Sequence, residues 1–144
     1  MSATTLWLSV AIVLLAAVGM ASSSAALADV ADRRTVNLVT IGRKSGQPRT
    51  VTIWFLVEGG RAFVQAGRDG KTDWFRNLKA NPEVRLEFDD ARFTGRAEVV
   101  ADPAISARVI EGFRQKYWLA RLSGWVGLGI GHGRVVSIEI EAGE

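Results

Sequence analysis

The chain contains 144 residues, with 18 lysines and arginines, 15 aspartates and glutamates, one histidine and no cysteine. This length suits a single domain. A sequence without cysteine excludes a disulfide framework, a thiolate metal site, an iron–sulfur cluster and a cysteine nucleophile. The single histidine, His132, argues against a multi-histidine metal centre and a serine–histidine triad, so we expect no metal site.

Charge is distributed unevenly along the chain. Residues 1–28 carry no charged side chain, and residues 29–144 carry all of them. The formal net charge of +3 and the lack of alternating basic and aromatic residues argue against nucleic-acid binding. We therefore divide the chain into a hydrophobic N-terminal anchor or signal segment, residues 1–31, and a folded domain, residues 32–144.

The uncharged leader, residues 1–28, allows three interpretations. An apolar run followed by Ala26-Leu27-Ala28 resembles a signal peptide, although no lysine or arginine precedes the run. Alternatively, residues 6–28 reach the roughly 20 apolar residues that a membrane anchor needs. Arg33 and Arg34 follow this segment, so the positive-inside rule would keep the domain on the cytoplasmic face. The third interpretation is a mis-assigned start codon or a hydrophobic helix packed on the domain.

The rest of the chain shows short period-two segments with glycine-containing turns, which are typical of β-strands. The predicted strands cover residues 36–41, 49–57, 61–66, 83–88, 92–100 and 134–140. Apolar residues at helical spacing predict helices over 72–79 and 102–118, the second beginning with Asp102 as cap and Pro103 at the first helical position. The pattern predicts a small α+β barrel of about six antiparallel strands and two helices, preceded by an N-terminal hydrophobic helix.

The densest chemical signal is the sequence GRKSGQPRT, residues 42–50, which we call the basic turn. It contains three cations and two hydroxyl side chains, and its glycines let the backbone approach a ligand closely. Such a turn can donate backbone and charge-assisted hydrogen bonds to phosphate oxygens, although an ordinary solvated hairpin has a similar composition. The residue order and the strand that follows exclude a Walker loop. A second basic loop, GRDGK, covers residues 67–71.

Together, GRKSGQPRT and DWFRNLKANPEVRLEF (residues 73–88) resemble the deazaflavin-dependent nitroreductase family. This family comprises quinone and nitro reductases that use coenzyme F420 and have a split β-barrel fold, like FMN-binding and pyridoxamine-phosphate-oxidase-like proteins. The resemblance covers residues 36–100, and extends less closely over 101–141. It therefore implies an F420H2-dependent oxidoreductase that transfers hydride to a quinone, a nitro compound or a similar hydrophobic acceptor.

The resemblance also implies which residues bind the cofactor. Lys44, Ser45 and Arg49 would hold its phosphate, and the deazaflavin ring would lie over the strand beginning at Thr50, near Trp54. The remaining cofactor-binding residues would be Ala66, Gly67, Arg68 and Lys71, of which the two cations are available to its acidic tail. FMN is the alternative cofactor, and Trp54 is equally suited to a core position.

Tyr117 is the candidate catalytic residue, because hydride transfer to a quinone or nitro group leaves negative charge on oxygen. In the family that the chain resembles, tyrosines from the C-terminal region border the substrate pocket. The position of Tyr117 in an apolar helix stripe also suits a core residue. Asn77 is interpreted as part of the helix end rather than as a substrate contact, and the glycine-rich residues 123–134 as a connection that can serve as a lid.

Two further function hypotheses remain open at this stage: an FMN- or haem-binding split-barrel protein, and a non-enzymatic deazaflavin-binding or storage protein. The expected partners are a small hydrophobic electron acceptor such as a quinone and, through the leader, a membrane; a homodimer is also compatible with the resemblance. The expected location is the membrane with the catalytic domain on the cytoplasmic face, and the alternative is secretion after signal-peptide cleavage.

Overall fold

The computed structural model describes residues 25–67, 70–118 and 133–141. Helix α1 is described over residues 25–29, and the helices α2 (Asp73–Ala80) and α3 (Pro103–Lys116) follow. The strands are β1 (Val36–Ile41), β2 (Pro48–Ile53), β3 (Leu56–Glu58), β4 (Arg61–Ala66), β5 (Glu83–Glu87), β6 (Arg92–Val99) and β7 (Arg134–Ile140).

All strand pairs are antiparallel, and the strands form one seven-stranded sheet in the order β2-β1-β5-β6-β7-β4-β3. The two edge strands, β2 and β3, are consecutive in the chain and are separated only by Trp54 and Phe55. A two-residue link spans less than about 10 Å of extended chain. The sheet must therefore curl until its opposite edges lie close together at this link. It forms a curled half-barrel, which we call the barrel, in which β2 and β3 are not hydrogen-bonded to each other. We call residues 54–55 the seam.

The prediction of an α+β barrel with about six antiparallel strands is confirmed in its class, and the described sheet has seven strands. A single strand was expected over residues 49–57, because this run is continuously rich in β-branched and aromatic side chains. The structure divides it into β2 and β3, since the chain passes here from one edge of the sheet to the other. Both predicted helices are present within two residues of their expected bounds. The predicted hydrophobic helix of the leader lies outside the described residues, except for α1.

The barrel interior holds the main core. Strands supply alternate residues to it, so that Leu38, Leu86 and Ile138 are fully buried there. The segment that precedes β1 contributes as well: Leu27 is 0% exposed and Val30 is 3% exposed, and both pack in this core. The barrel core therefore includes residues from α1 and the turn after it.

A second apolar cluster fixes α3 against the outside of β4 and β7. Val109, Phe113 and Tyr117, spaced by four residues, form the buried stripe of the helix and pack on Phe63 and Val135. Asp102 caps the helix by accepting a 2.9 Å hydrogen bond from the Ala104 N–H, and Pro103 follows it. This packing brings the C-terminal end of α3 to the seam.

Side chains at the C-terminal end of α3 form hydrogen bonds with the backbone N–H and carbonyl groups of the seam. The Tyr117 hydroxyl accepts a 3.1 Å hydrogen bond from the Phe55 N–H and lies 2.9 Å from the carbonyl oxygens of Phe55 and Arg34. Lys116 Nζ donates to the Phe55 carbonyl at 2.9 Å and lies 3.7 Å from the centroid of the Phe55 ring. The Trp54 indole stacks on the Tyr117 ring at 4.3 Å. Both seam residues are thus held by the helix terminus.

Burial changes the titration of these two helix residues in opposite directions. It lowers the pKa of Lys116 from 10.5 to about 8, because desolvation disfavours the ammonium ion. It raises the pKa of Tyr117 from 10.0 to about 12, because desolvation disfavours the phenolate. Between the folded and unfolded values, the unfolded chain binds more protons at Lys116 and fewer at Tyr117. The free energy of unfolding therefore rises with pH through the lysine window and falls through the tyrosine window.

We predict a stability contribution from Lys116 that increases from about pH 8 to about pH 9, a window in which Tyr117 stays almost fully protonated in both states. Urea midpoints of the wild type and Lys116→Met, measured across this range, test it. The methionine keeps an apolar stem over Phe55 but does not titrate, so the difference between the two proteins should change with pH in favour of the wild type. A constant difference between them would show that the lysine titrates normally.

Candidate functional site

A cavity of about 560 Å³ lies where the basic turn, β2 and the N-terminal half of α2 meet. The residues that line it come from these three elements: Gly42, Arg43, Lys44, Ser45, Arg49, Thr50, Val51, Asp73, Trp74 and Asn77. The sequence-predicted phosphate ligands Lys44, Ser45 and Arg49 are thus brought together, with Thr50 beside them. This grouping arises because the turn connects two paired strands, β1 and β2, at one edge of the sheet.

Two backbone hydrogen bonds give the basic turn its shape. The Gly42 N–H donates to the Gln47 carbonyl, and the Gly46 N–H donates to the Gly42 carbonyl, each at 2.8 Å. Gly46 has φ +68°, which strongly favours glycine, and a Cβ at Gly42 would lie 2.5 Å from Ser45 Oγ. The Ser45 hydroxyl also accepts a 3.2 Å hydrogen bond from the Gln47 N–H. The turn therefore favours glycine at Gly46 through its backbone angle, and a side chain at Gly42 would force the Ser45 hydroxyl to move.

Asn77 on α2 is hydrogen-bonded to Arg43, the second residue of the basic turn. Its Oδ1 accepts hydrogen bonds from the Arg43 backbone N–H at 3.2 Å and from Arg43 Nη1 at 2.9 Å. The second guanidinium nitrogen, Nη2, lies 3.3 Å from Asp73 Oδ1. Arg43 is consequently directed toward α2 and is partly neutralised there. The sequence signal for Asn77 was a polar residue between Trp74 and Leu78 on the apolar face of the helix.

The cations that remain available at the cavity are Lys44 and Arg49. Both residues are exposed, and within the described parts of the chain neither side chain has a hydrogen-bond or ion-pair partner. The Ser45 and Thr50 hydroxyls add neutral donors, and Val51 and Trp74 add an apolar wall. This donor set fits an anionic group attached to a largely apolar body, which describes a phosphorylated aromatic cofactor.

The structure separates other predicted site residues from this cavity. Trp54 lies at the seam and packs in the second cluster. Ala66 is fully buried at the end of β4, and Gly67 and Lys71 follow in the next loop; none of these residues is among those that line the cavity. Arg68 lies outside the described residues, as does most of the glycine-rich 123–134 segment with His132.

Tyr117 is buried in the second cluster and is also absent from the cavity lining. Its hydroxyl is engaged by the backbone of Phe55 and Arg34, and its pKa is raised by burial to about 12. These contacts favour a structural role for the side chain. Its role as a donor to the substrate therefore stays a prediction that rests on the resemblance alone.

Over residues 25–67, 70–118 and 133–141, no three histidine, aspartate or glutamate side chains are grouped so that they could hold a metal ion. In the same ranges, none of the helices combines the length and apolar character needed to cross a membrane.

Comparisons with known proteins extend the description of the site. Residues 23–118 match the model of a family described as F420H(2)-dependent quinone reductase. An F420H(2)-dependent quinone reductase from Mycobacterium tuberculosis is 35% identical over 66 residues, which span 44% of this chain and 44% of that relative. The aligned part thus covers less than half the length of this curated relative.

Solved structures with similar folds include a conserved hypothetical protein from Mycobacterium tuberculosis, with a TM-score of 0.64 and 24% identity over 81% of this chain and 79% of that one. A structure of an F420-H2 dependent reductase has a TM-score of 0.57 and 23% identity over 74% of this chain and 95% of that chain. At these identities the likeness establishes the split-barrel type of fold. Because the family model covers residues 23–118, which include the basic turn and α2, the chain belongs to the F420H(2)-dependent quinone reductase family.

Proposed function

We propose that the protein is an F420H2-dependent oxidoreductase that reduces a quinone. Family membership supports the reaction class, and the name of the Mycobacterium tuberculosis relative supports the acceptor. The observation that carries the proposal is the cavity of about 560 Å³ at the basic turn, which is lined by two hydroxyls and by two cations that have no partner among the described residues. Nitro compounds and other hydrophobic acceptors are further candidates for the same reaction.

The reduced deazaflavin supplies the hydride when it is bound, so the protein's task is to bind and orient the reactants. Lys44 and Arg49 would donate charge-assisted hydrogen bonds to the cofactor phosphate, and Ser45 and Thr50 would complete the donor set. Val51 and Trp74 offer apolar surface that excludes water beside these donors. In this proposal, Trp54, Gly67, Arg68 and Lys71 would contact parts of the cofactor beyond the phosphate, whereas Ala66, which is fully buried, would only support the loop.

We predict that the full-length protein binds F420 more tightly than FMN or haem, and that F420H2 supports reduction of menadione. We expect this order of affinities because the chain belongs to an F420H(2)-dependent family and its cavity offers donors to an anionic group. Equilibrium titrations and spectrophotometric turnover measurements test it. Tight binding of FMN or haem without F420 binding would support the alternative cofactors, and F420 binding without turnover of any quinone or nitro acceptor would indicate a storage protein.

The basic turn gives a second prediction for the same proposal. Lys44→Ala and Arg49→Ala should each weaken F420 binding by about 1.5–3 kcal/mol, the range for a lost hydrogen bond to a charged group. Arg96→Ala is the matched control: Arg96 is an exposed cation on β6 and is not among the residues that line the cavity. If the affinity of both turn variants equals that of the control, the phosphate does not bind at the basic turn.

We further propose that the leader stays attached and anchors the domain at the cytoplasmic face of a membrane. The burial of Leu27 supports this, because cleavage after Ala28 would remove a side chain that is 0% exposed in the barrel core. Loss of a buried leucine costs about 2–5 kcal/mol. The deazaflavin is expected in the cytoplasm, and the leader has no twin-arginine pattern that would export a folded, loaded protein. A homodimer also stays a prediction.

Mass spectrometry of the chain isolated from cells tests the leader. We expect Leu27 and the apolar residues before it to be retained, and the protein to sediment with membranes after a high-salt wash. A mature chain that begins at Asp29 and is found outside the membrane fraction would contradict the anchor.

A further inference from the structure

We propose that Asn77 is a positioning residue that holds the basic turn in its anion-binding shape. This inference rests on the proposed function, since it assigns a role in the same cavity. Asn77 is 4% exposed and lies in the middle of α2, whereas the cations that would meet the ligand are on the turn. The side chain therefore acts through the residues that it holds.

The orientation of the Asn77 amide follows from its partners. Arg43 presents only donors, from its backbone and its guanidinium, so the amide oxygen must face it. The amide nitrogen then faces the Thr40 hydroxyl, 3.3 Å away, which acts as the acceptor. Thr40 is fully buried near the end of β1. One buried amide thus ties α2 both to β1 and to the turn that follows it.

These hydrogen bonds fix the backbone at the beginning of the basic turn. The Arg43 N–H is bound to Asn77, and Gly42 before it is bound to Gln47, so the backbone is held on both sides of the peptide that joins these two residues. The Arg43 guanidinium is bound to Asn77 and Asp73, whereas Lys44 and Arg49 have no partner among the described residues. Lys44 follows Arg43 directly, so the hydrogen bond between Arg43 and Asn77 also restricts the backbone position of Lys44. If Arg43 were mobile, the side chains of Lys44 and Arg49 would adopt several conformations in the unliganded protein. Ligand binding would then have to order them, which costs free energy and weakens the affinity.

A substitution at Thr40 tests whether Asn77 positions the turn or contacts the ligand directly. It is fully buried and does not line the cavity, so it cannot touch a bound ligand. Thr40→Val keeps the shape of the side chain and adds no charge, but it removes the acceptor that orients the Asn77 amide. A positioning role for Asn77 requires this substitution to weaken binding and also to loosen the Arg43 N–H in the unliganded protein, whereas a direct contact between Asn77 and the ligand requires no change at Arg43.

The experiment measures F420 binding by full-length wild type, Asn77→Ala, Thr40→Val and Leu78→Ala. Leu78 is a buried core residue next to Asn77 and serves as the control for lost stability. We expect about tenfold weaker binding for Asn77→Ala and about threefold for Thr40→Val, as for a charged and a neutral hydrogen bond. Leu78→Ala should lower the melting temperature while its folded form keeps wild-type affinity.

Amide hydrogen exchange of the unliganded protein gives a readout that does not depend on the cofactor. The Arg43 N–H should exchange faster in Asn77→Ala than in Leu78→Ala, relative to core amides of the same variant. Unchanged exchange at Arg43, or unchanged F420 affinity in Thr40→Val, would overturn the positioning role. If F420 does not bind the wild type, the proposed function fails, and the exchange measurement still decides whether Asn77 orders the turn.

Discussion

The two-residue seam at Trp54 and Phe55 is the constraint on which the rest of the fold depends. Opposite edges of a seven-stranded sheet are joined here, and Phe55 belongs to neither strand. Its buried backbone groups would each cost free energy without a partner. The Tyr117 hydroxyl and the Lys116 ammonium supply the partners, and the packing of α3 on β4 and β7 brings both side chains to the seam. The curling of the sheet at the seam and the docking of α3 therefore depend on each other.

The position of the candidate site follows from this curling. The seam fixes where β2 ends, and the pairing of β2 with β1 fixes the register of the basic turn that joins them. Helix α2 then packs beside β1 and the turn, with Phe75 and Leu78 in the barrel core and Asn77 under Arg43. An edge strand leaves one side without a neighbouring strand, so the turn, β2 and α2 can enclose a cavity in which Lys44 and Arg49 stay exposed.

Local patterns in the sequence were sufficient for the strands, both longer helices and the basic turn, because period-two and helical spacings record which face of each element is buried. The break at the seam was not predictable, since Arg49 to Val57 reads as one strand and only the curling of the whole sheet divides it. The hydroxyl of Tyr117 and the amide of Asn77 have partners 62 and 34 residues away. No local pattern encodes such contacts. A helix packed on the domain was one of three interpretations of the leader, but an apolar run alone does not show that Leu27 is the residue that enters the core.

The central claim is that the basic turn binds the phosphate of the deazaflavin cofactor. Backbone amide chemical shifts, followed by NMR during titration of the unlabelled cofactor into the isotope-labelled protein, test it most directly, because every amide reports at once. We expect the largest changes at residues 43–47, 49 and 50, which have backbone amides, and smaller changes at Asp73, Trp74 and Asn77. Changes concentrated elsewhere, with the amides of Lys44 and Arg49 unmoved at saturation, would contradict it.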